Sequence, residues 1–255
     1  MTLVIDIGNT TVCIGIYEND VLKVETRLAT ERQKTDDQFA MMLSNLLSIY
    51  QIEQSEIDGG ILSSVVPELT HAVQSAVQKL FHVSFLVLGA GIKTGLNILI
   101  DNPAQLGADL AAGAVGAIAH YPLPAFIIDL GTATKICAVD ENKSFRGCMI
   151  APGVGVSLKA LTTQSSLLPH IVLEPPKKAC GTNTIESMQS GVVLGTAAMV
   201  DGMIDRFAAE LGTPNSIILT GGLSSVIAKV CKHETIEDSA LLLKGLKVIY
   251  DKNQK

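Results

Sequence analysis

The chain has 255 residues, of which 47% are hydrophobic and 17% are charged, and its formal net charge at pH 7 is -6. This composition excludes a disordered or fibrous chain and is typical of a globular protein with a large core. General nucleic-acid binders and proteins that bind anionic membranes need basic patches, which an acidic chain does not favour. We therefore expect no nucleic-acid partner and no membrane partner.

The cysteines and the apolar segments favour a cytoplasmic protein. The cysteines are odd in number and none has CxxC spacing, so we expect reduced, mostly buried thiols rather than disulfides or a zinc site. Residues 110–128 contain no Asp, Glu, Lys or Arg, but Pro122 and Pro124 interrupt them. A helix, a turn and a buried strand explain this run better than a membrane span. The first apolar run contains Asp6 and follows no basic segment, which argues against a signal peptide.

Hydrophobic spacing in the first half predicts alternating strands and helices. Apolar strands at residues 3–7 and 13–17 come first, and Phe39 to Tyr50 then show helical spacing. A short strand is expected around Ile61, and a second helix at Pro67, because proline suits the first helical turn. A strand at 85–88 and a helix from about Pro103 to about Ile118 complete this half.

The second half follows a similar order. Strands are expected at 126–130, at 136–139 and at a segment that ends in the Pro152-Gly153 turn. Residues 186–211 read as one long helix, bent at Gly191 and Gly195 and stopped by Gly212. Residues 216–219 predict a strand that runs into Thr220-Gly221-Gly222 and a further helix.

An internal sequence repeat relates the two halves. The segment 3–11, LVIDIGNTT, returns at an offset of 123 residues as the segment 126–134, FIIDLGTAT. Each copy is an apolar strand, then Asp-x-Gly, then small hydroxyl residues and a second apolar strand. The period is too long for a solenoid repeat. It predicts two related half-domains, residues 1–118 and 119–255, which each open with a β-hairpin.

The two hairpins suggest phosphate binding. The chain has no GxxxxGK(S/T) and no GxGxxG motif. Gly8 can nevertheless bring backbone N–H groups close to an anion, and Asn9, Thr10 and Thr11 add side-chain donors. Asp6 cannot approach a phosphate favourably without a cation between them, which points to Mg²⁺ or a bound water. A single copy is equally compatible with a plain hairpin that has a polar tip. Two copies, with a Thr-Gly-Gly turn after a late strand, favour a nucleotide cleft.

This combination resembles the superfamily of actin, hexokinase and the Hsp70 chaperones. The resemblance implies an α/β fold of two ribonuclease-H-like half-domains, an actin-like ATPase fold with the nucleotide cleft between them. Further segments make the chain similar to the type III pantothenate kinases. They are Asp6-Ile7-Gly8-Asn9-Thr10, Ser63-Ser64-Val65-Val66-Pro67, Asp101-Asn102-Pro103, Leu106-Gly107-Ala108-Asp109, Asp129-Leu130-Gly131-Thr132-Ala133-Thr134, Ile150-Ala151-Pro152-Gly153, Leu168-Pro169, Gly181-Thr182-Asn183-Thr184 and Met188-Gln189-Ser190-Gly191.

The resemblance implies ATP-dependent phosphorylation of pantothenate to 4'-phosphopantothenate, the first step of coenzyme A biosynthesis, by a homodimer. It implies that Asp109 is the general base; a carboxylate suffices because the hydroxyl proton can leave late in a loose transition state. Without the resemblance, Asp109 would be interpreted as a helix-face or capping carboxylate. The implied ATP ligands are Asp6 (also Mg²⁺, through water), Ile7, Gly8, Asn9, Thr10, Thr11, Val12, Cys13 and Thr132. The implied substrate-side residues are Ile100, Gly107, Ala108, Asp109, Leu110 and Thr184, the last at a dimer interface. Asp129 matches a site for a monovalent cation, K⁺ or NH₄⁺.

The chain departs from the family pattern mainly at the substrate end. Leu110 stands where the family usually has an Arg that contacts pantothenate, and Ile100 stands where it usually has a Tyr. Smaller departures are Lys135 in place of Thr and Cys148 in place of Gly. Loss of the Arg could weaken carboxylate recognition about ten- to hundredfold.

Several interpretations of these departures stay open. Another cation could replace the Arg, and the sequence offers Lys135, Arg146 and Lys159. The substrate could be a relative such as pantetheine, or the protein could be a catalytically impaired nucleotide-binding or regulatory homologue. A sugar or acetate kinase of the same superfamily would explain the hairpins, but not the later segments.

Overall fold

The structure is a computed structural model that describes residues 1–83 and 85–254. The strands, in chain order, are β1 (Thr2–Ile7), β2 (Thr11–Glu18), β3 (Val21–Ala29), β4 (Gly59–Ser64), β5 (Phe85–Val87), β6 (Asn97–Ile98), β7 (Ala125–Leu130), β8 (Ala133–Val139), β9 (Ser144–Pro152), β10 (Ser216–Thr220) and β11 (Ile236–Glu237). The α-helices are α1 (Asp36–Ile49), α2 (Pro67–Phe81), α3 (Ala108–His120), α4 (Val154–Gln164), α5 (Thr184–Gln189), α6 (Gly195–Leu211), α7 (Ser224–Ala228) and α8 (Leu241–Asn253).

The chain forms two compact units. The first comprises Met1–Leu96, Asn102–Ala119 and Ala240–Lys255, and the second comprises Asn97–Asp101 and His120–Ser239. Lys255 itself lies outside the described residues. The expected boundary at 118/119 is close to the crossover after Ala119. The two shorter segments differ from the expectation, because β6 pairs with β9 of the second unit and α8 packs against β1 and β4 of the first.

The sheet of the first unit has the order β3-β2-β1-β4-β5. β1 to β3 form an antiparallel meander, and β1, β4 and β5 run parallel. Asn19 and Asp20 connect β2 to β3, and Asn19 has a positive φ of 53°. Two-residue hairpins favour such residues because their turns require a left-handed backbone.

Helices cover both faces of this sheet. On one face, Leu3, Ile5 and Ile7 of β1 pack with buried side chains of α1 and α2. On the other face, Val4 and Ile61 pack with α3 and α8. These two helices approach closely: a Cβ at Gly245 would lie 1.8 Å from the carbonyl oxygen of Ala112. The large apolar burial of both faces is the main stabilising contribution to this unit.

Local signals mark the starts of α1 and α2 and mislead at the start of α3. Thr35 and Gln38 form a capping box at α1, and Pro67 occupies the first turn of α2, so both predicted helices are confirmed. The predicted start of the third helix at Pro103 is wrong. Pro103–Gln105 is a single 3₁₀ turn, Leu106 is extended, and α3 begins at Ala108.

The sheet of the second unit has the order β11-β10-β7-β8-β9-β6. Its first five strands repeat the arrangement of the first unit, with β7 and β8 in the places of β1 and β2. Both sheets are mixed, and the antiparallel hairpin opens each one. The predicted α/β fold with two related halves is therefore confirmed.

The main apolar cluster of the second unit packs on one face of its sheet. Phe126, Ile128 and Leu130 pack against the long helical segment and α7. That segment is α5, a π-helical stretch Ser190–Leu194 and α6, so the predicted helix is confirmed in extent. The predicted bends at Gly191 and Gly195 correspond to the π-helical stretch and the start of α6. Residues 110–128 are divided between α3, a turn and β7, as the sequence predicts. No helix among the described residues is long and apolar enough to cross a membrane.

Candidate active site

The tip of the first hairpin is fixed by its own backbone. The Gly8 N–H donates to the Thr11 carbonyl oxygen at 2.9 Å, and the Gly8 carbonyl accepts from Thr30 Oγ1 at 2.8 Å. A Cβ at Gly8 would lie 3.1 Å from the Thr11 oxygen, so the turn leaves little space for a larger residue. Asn9 and Thr10 are exposed at the tip. These residues can present donors to an anion, as the sequence predicts.

Arg32 is a residue at this tip that the sequence reasoning missed. Its Nη2 donates to Asn9 Oδ1 at 2.8 Å, and both side chains are exposed. The guanidinium brings a positive charge next to the hairpin. A basic residue just after β3 was the available signal, but only the pairing of β2 with β3 places it beside Asn9.

Asp6 lies on the face of the first sheet that α3 covers. It is buried, and it is opposite Cys13 in β2 and Ser63 in β4. The Ser63 Oγ is buried and has no hydrogen-bond partner within the described part of the chain. A carboxylate and a hydroxyl are oxygen ligands of the kind that Mg²⁺ prefers. The donor set therefore fits the expected Mg²⁺.

A Mg²⁺ ion at Asp6 would need further ligands. Among residues 1–83 and 85–254, no group of three or more His, Cys, Asp or Glu could hold a metal ion. Kinase sites commonly bind Mg²⁺ through one or two carboxylates, with phosphate and water supplying the remaining oxygens. The arrangement at Asp6 agrees with that mode.

Asp109 lies in the first turn of α3 and is half-buried. Its Oδ1 accepts from the Leu110 N–H at 2.9 Å, so it satisfies one of the free backbone donors in the first turn of the helix. The contact also orients the carboxylate, so it is compatible with catalysis. A Cβ at Gly107 would lie 2.6 Å from Asp109 Oδ1, which explains the glycine. Ala108 packs in the same cluster as Cys13, so the start of α3 lies on the same face of the sheet as Asp6.

Three turns meet at one end of the second sheet. The Gly153 N–H donates to the Thr132 carbonyl oxygen at 3.1 Å, and a Cβ at Gly153 would lie 2.3 Å from the Gly131 oxygen. Gly221 has a positive φ of 93°, and a Cβ there would lie 2.6 Å from the backbone carbon of Leu130. Thr132 is exposed at this meeting point. The repeated Asp-x-Gly, Pro-Gly and Thr-Gly-Gly signals thus build one polar end of the unit.

Asp129 is paired with a cation from its own hairpin. It lies directly opposite Lys135 in the pairing of β7 with β8, and Lys135 Nζ is 2.7 Å from Asp129 Oδ2. The side chains are only 18% and 15% exposed, respectively. A free monovalent cation at this carboxylate does not fit such an arrangement, because the ammonium already takes the cation position.

The substrate-side residues are divided between the units. Gly107 to Leu110 belong to the first unit, whereas Ile100 and Thr184 belong to the second. Ile100 and Leu110 are half-buried, and Thr184 is exposed at the start of α5. Thr184 lines a surface concavity of about 540 Å³, together with Leu161, Leu168 and Thr182.

The basic residues proposed as replacements for the missing Arg differ in their surroundings. Lys135 is paired with Asp129, and Arg146 Nη1 lies 3.2 Å from Asp140 Oδ2. Lys159 is exposed on α4. Lys135 and Arg146 are therefore both bound to carboxylates of their own unit.

All five cysteines are free thiols, as expected. The expectation that they are mostly buried is wrong, since Cys137 is buried but Cys148 and Cys180 are exposed. Cys137 and Cys148 lie opposite each other in the pairing of β8 with β9. A hydrogen bond with Cys148 and burial raise the pKa of the Cys137 thiol well above its usual value.

Sequence comparisons agree on one family. A family model described as type III pantothenate kinase matches residues 2–206. The chain is 44% identical to a type III pantothenate kinase of Halalkalibacterium halodurans, over 99% of this chain and 100% of the relative. It is 42% identical to the type III pantothenate kinase of a Geobacillus strain (99% and 98% covered) and 41% identical to that of Brevibacillus brevis (100% of both).

Solved structures share the fold at lower identity. A protein from Campylobacter jejuni, described as a Baf family transcriptional activator, is similar with a TM-score of 0.63 at 20% identity, over 99% of this chain and 98% of that one. Component A of the (R)-2-hydroxyglutaryl-CoA dehydratase of Acidaminococcus fermentans is similar with a TM-score of 0.54 at 15% identity, over 100% and 99%. At such identities, these structures support the architecture and carry no information on activity.

Proposed function

The chain belongs to the type III pantothenate kinase family, and we propose that it transfers the γ-phosphoryl group of ATP to the primary hydroxyl of pantothenate. The product is 4'-phosphopantothenate, in the first step of coenzyme A biosynthesis. The observation that carries this proposal is the family match, which includes both hairpins and Asp109 within residues 2–206. The cytoplasmic location expected from the sequence stays a prediction.

The two hairpins hold the ATP phosphates in this proposal. In the first unit, residues 6–13 form the hairpin, and its exposed tip offers the side chains of Asn9 and Thr10, with the Arg32 guanidinium beside Asn9. In the second unit, Thr132 supplies the corresponding exposed hydroxyl. Mg²⁺ held through Asp6 and water would neutralise charge on the phosphates. Support comes from the fixed Gly8 turn and from the oxygen ligands that Asp6 and Ser63 offer.

Asp109 is the general base in this proposal. Phosphoryl transfer depends on positioning and charge neutralisation more than on covalent chemistry by the protein. A carboxylate is sufficient to accept the hydroxyl proton late in a loose transition state. Its contact with the Leu110 N–H holds it at the start of α3, on the face of the sheet that carries Asp6.

A homodimer is also proposed. Thr184 matches a family position at the dimer interface. Leu167 and Ile185 line a surface concavity together with Thr184, and they are 90% and 50% exposed, respectively. Large apolar side chains exposed close together mark association surfaces, which supports this assignment.

The test is an ATP-consumption assay with the purified protein, Mg²⁺ and pantothenate. Matched reactions contain pantetheine or no acceptor. Turnover with pantothenate supports the proposal. Because Ile100 and Leu110 replace the usual Tyr and Arg, the next question would be which other residues bind the pantothenate carboxylate. Turnover with pantetheine alone would indicate a changed substrate, and ATP binding without turnover would indicate a nucleotide-binding homologue that has lost its reaction.

A further inference from the structure

We propose that the ammonium of Lys135 replaces a free monovalent cation at Asp129, so that catalysis by this protein does not depend on K⁺ or NH₄⁺. The inference rests on the proposed kinase function. It assigns Lys135 as a positioning residue of the second hairpin, because its ammonium is part of the chain and lies against Asp129.

The geometry of the second hairpin carries this inference. Asp129 and Lys135 are directly opposite each other on antiparallel strands, and their charged atoms are 2.7 Å apart. Both side chains are more than four-fifths buried, so the pair is shielded from solvent and salt. A second cation at the same carboxylate would be repelled by the ammonium. The pair therefore prevents a free monovalent cation from binding at the Asp129 carboxylate.

The location of the pair gives it a role in phosphate binding. A Cβ at Gly131 would lie 3.3 Å from Asp129 Oδ1, so the carboxylate is beside the turn that carries Thr132. An uncompensated negative charge at this point would oppose a phosphate at that turn. The ammonium of Lys135 offsets it. A neutralised carboxylate can then orient the turn without repelling the nucleotide.

A positive charge directly opposite the hairpin carboxylate occurs in the second hairpin and not in the first. Asp6 occupies the position equivalent to Asp129, but the residue directly opposite Asp6 is Cys13, which carries no positive charge. The two hairpins thus share a fold and differ in charge. This difference agrees with Mg²⁺ being assigned to Asp6 and an internal cation to Asp129.

The first experiment needs no variant. Initial rates of the wild-type protein are measured with Mg²⁺ATP and pantothenate in NaCl, KCl and NH₄Cl at equal ionic strength. We expect rates that agree within about twofold, because the ammonium is already in place. Activation of the wild-type protein by K⁺ or NH₄⁺ beyond about tenfold would overturn the inference.

Lys135→Thr provides the second experiment, since it removes the ammonium and leaves space beside Asp129. Its rate in NaCl should fall about tenfold or more, and KCl or NH₄Cl should restore most of the loss. Lys229→Thr is the matched control, because Lys229 is exposed at the end of α7 in the same unit. Its rate should resemble that of the wild type in all three salts. A folded Lys135→Thr protein that no salt restores would contradict the inference.

Thermal unfolding separates this inference from the proposed function. The melting temperature of Lys135→Thr should be higher in KCl than in NaCl, whereas those of the wild type and Lys229→Thr should be equal in both salts. This result does not require turnover. Absence of turnover with every acceptor would refute the kinase assignment. A Lys135→Thr protein whose melting temperature is the same in both salts would refute the cation inference.

Discussion

Ser63 of β4 lies opposite Asp6 of β1 in the parallel pairing of these strands. The second unit repeats the relationship, with Thr220 of β10 opposite Asp129 of β7. In both units a buried hydroxyl is next to a carboxylate, at the end of the sheet where the hairpin turns. The Ser63 hydroxyl has no hydrogen-bond partner in the described part of the chain, which suggests a role when Mg²⁺ and ATP are bound.

Ser63→Ala tests that role. In the absence of nucleotide, its free energy of unfolding should be unchanged or slightly increased, because no described protein hydrogen bond is lost. Its affinity for Mg²⁺ATP should fall about three- to tenfold, measured by calorimetry. Ser64→Ala is the control, since Ser64 Oγ donates to the Val66 carbonyl and accepts from the Val66 N–H, both at 3.1 Å. This control should lose about 0.5–1.5 kcal/mol of stability and keep its ATP affinity. The reverse pattern would contradict the assignment.

Asp109→Asn tests the general base. The amide oxygen can still accept from the Leu110 N–H, so the fold and the ATP affinity should be retained. The kcat for pantothenate should fall about 10²- to 10⁴-fold. Asp20→Asn serves as the control, because the Asp20 side chain is 95% exposed, and its kcat should be unaltered. Full activity of Asp109→Asn would leave only the capping interpretation of this residue.

Leu110→Arg tests the effect of the missing cation at the substrate end. If no other basic residue holds the pantothenate carboxylate, the new guanidinium should lower KM for pantothenate about ten- to hundredfold, with a smaller effect on kcat. Leu110→Gln is the comparison, because it adds a polar side chain without a charge and should lower KM much less. Equal KM values for Leu110→Arg and the wild type would indicate that another cation of this chain already binds the carboxylate.

Gly221→Ala tests the packing of the turns in the second unit. The φ of 93° is unfavourable for alanine, and its Cβ would lie 2.6 Å from the Leu130 backbone, which cannot move aside easily. The free energy of unfolding, measured with urea, should fall by about 2 kcal/mol or more. Gly222→Ala is the matched control, since a Cβ at Gly222 would have no described atom within 4 Å. It should change stability by less than about 1 kcal/mol. Equal effects of the two substitutions would contradict the described turn.

Alkylation rates test the half-buried thiol at Cys231. Burial and the nearby Asp201 carboxylate raise the pKa of Cys231 from 9.0 to about 11. At pH 8 the folded protein should therefore react at this thiol about 100-fold more slowly than the urea-unfolded chain, as followed by peptide mass spectrometry. Exposed Cys180 should react readily in both states. Similar rates at Cys231 in the folded and unfolded states would show that the thiol is not protected.

The same pKa shift sets a direction for stability against pH. The folded protein holds the Cys231 proton more tightly than the unfolded chain, so the unfolded state binds fewer protons between pH 9 and about 11. The contribution of this thiol is complete below pH 9 and is lost as the pH rises through about 11. Cys231→Ala should therefore show a weaker decrease of stability in that range than the wild type.

Much of the fold could be predicted from the sequence because its signals are local or repeated. The repeat of residues 3–11 at 126–134 predicts both hairpins, and Pro67 marks the start of α2. Pro103 is a misleading signal of the same kind, since the extended Leu106 interrupts the helical geometry. The place of α8 could not be predicted, because an amphipathic pattern shows that a helix is covered on one side without showing which sheet covers it.

The Asp129–Lys135 pair shows why part of the site needed the structure. At the constant offset of the repeat, Lys135 corresponds to Val12, which is opposite Ile7 in the first hairpin. The second turn is one residue shorter, so Lys135 lies opposite Asp129 instead. A shift of one residue moves a side chain to the other face of a sheet. The repeat alone therefore predicts a lysine on the core face, and the register places it beside the carboxylate.

The position of α8 also determines the order in which the protein can be completed during synthesis. Residues 120–239 form the main part of the second unit, and they are translated before residues 240–254. Until then, the sheet face that carries Val4 and Ile61 lacks its α8 partners Leu243, Leu246 and Ile249. Translation therefore begins with the first unit, and the same unit is the last to be completed. The nascent chain carries an uncovered apolar surface throughout translation of the second unit, and such a surface is a natural binding site for chaperones.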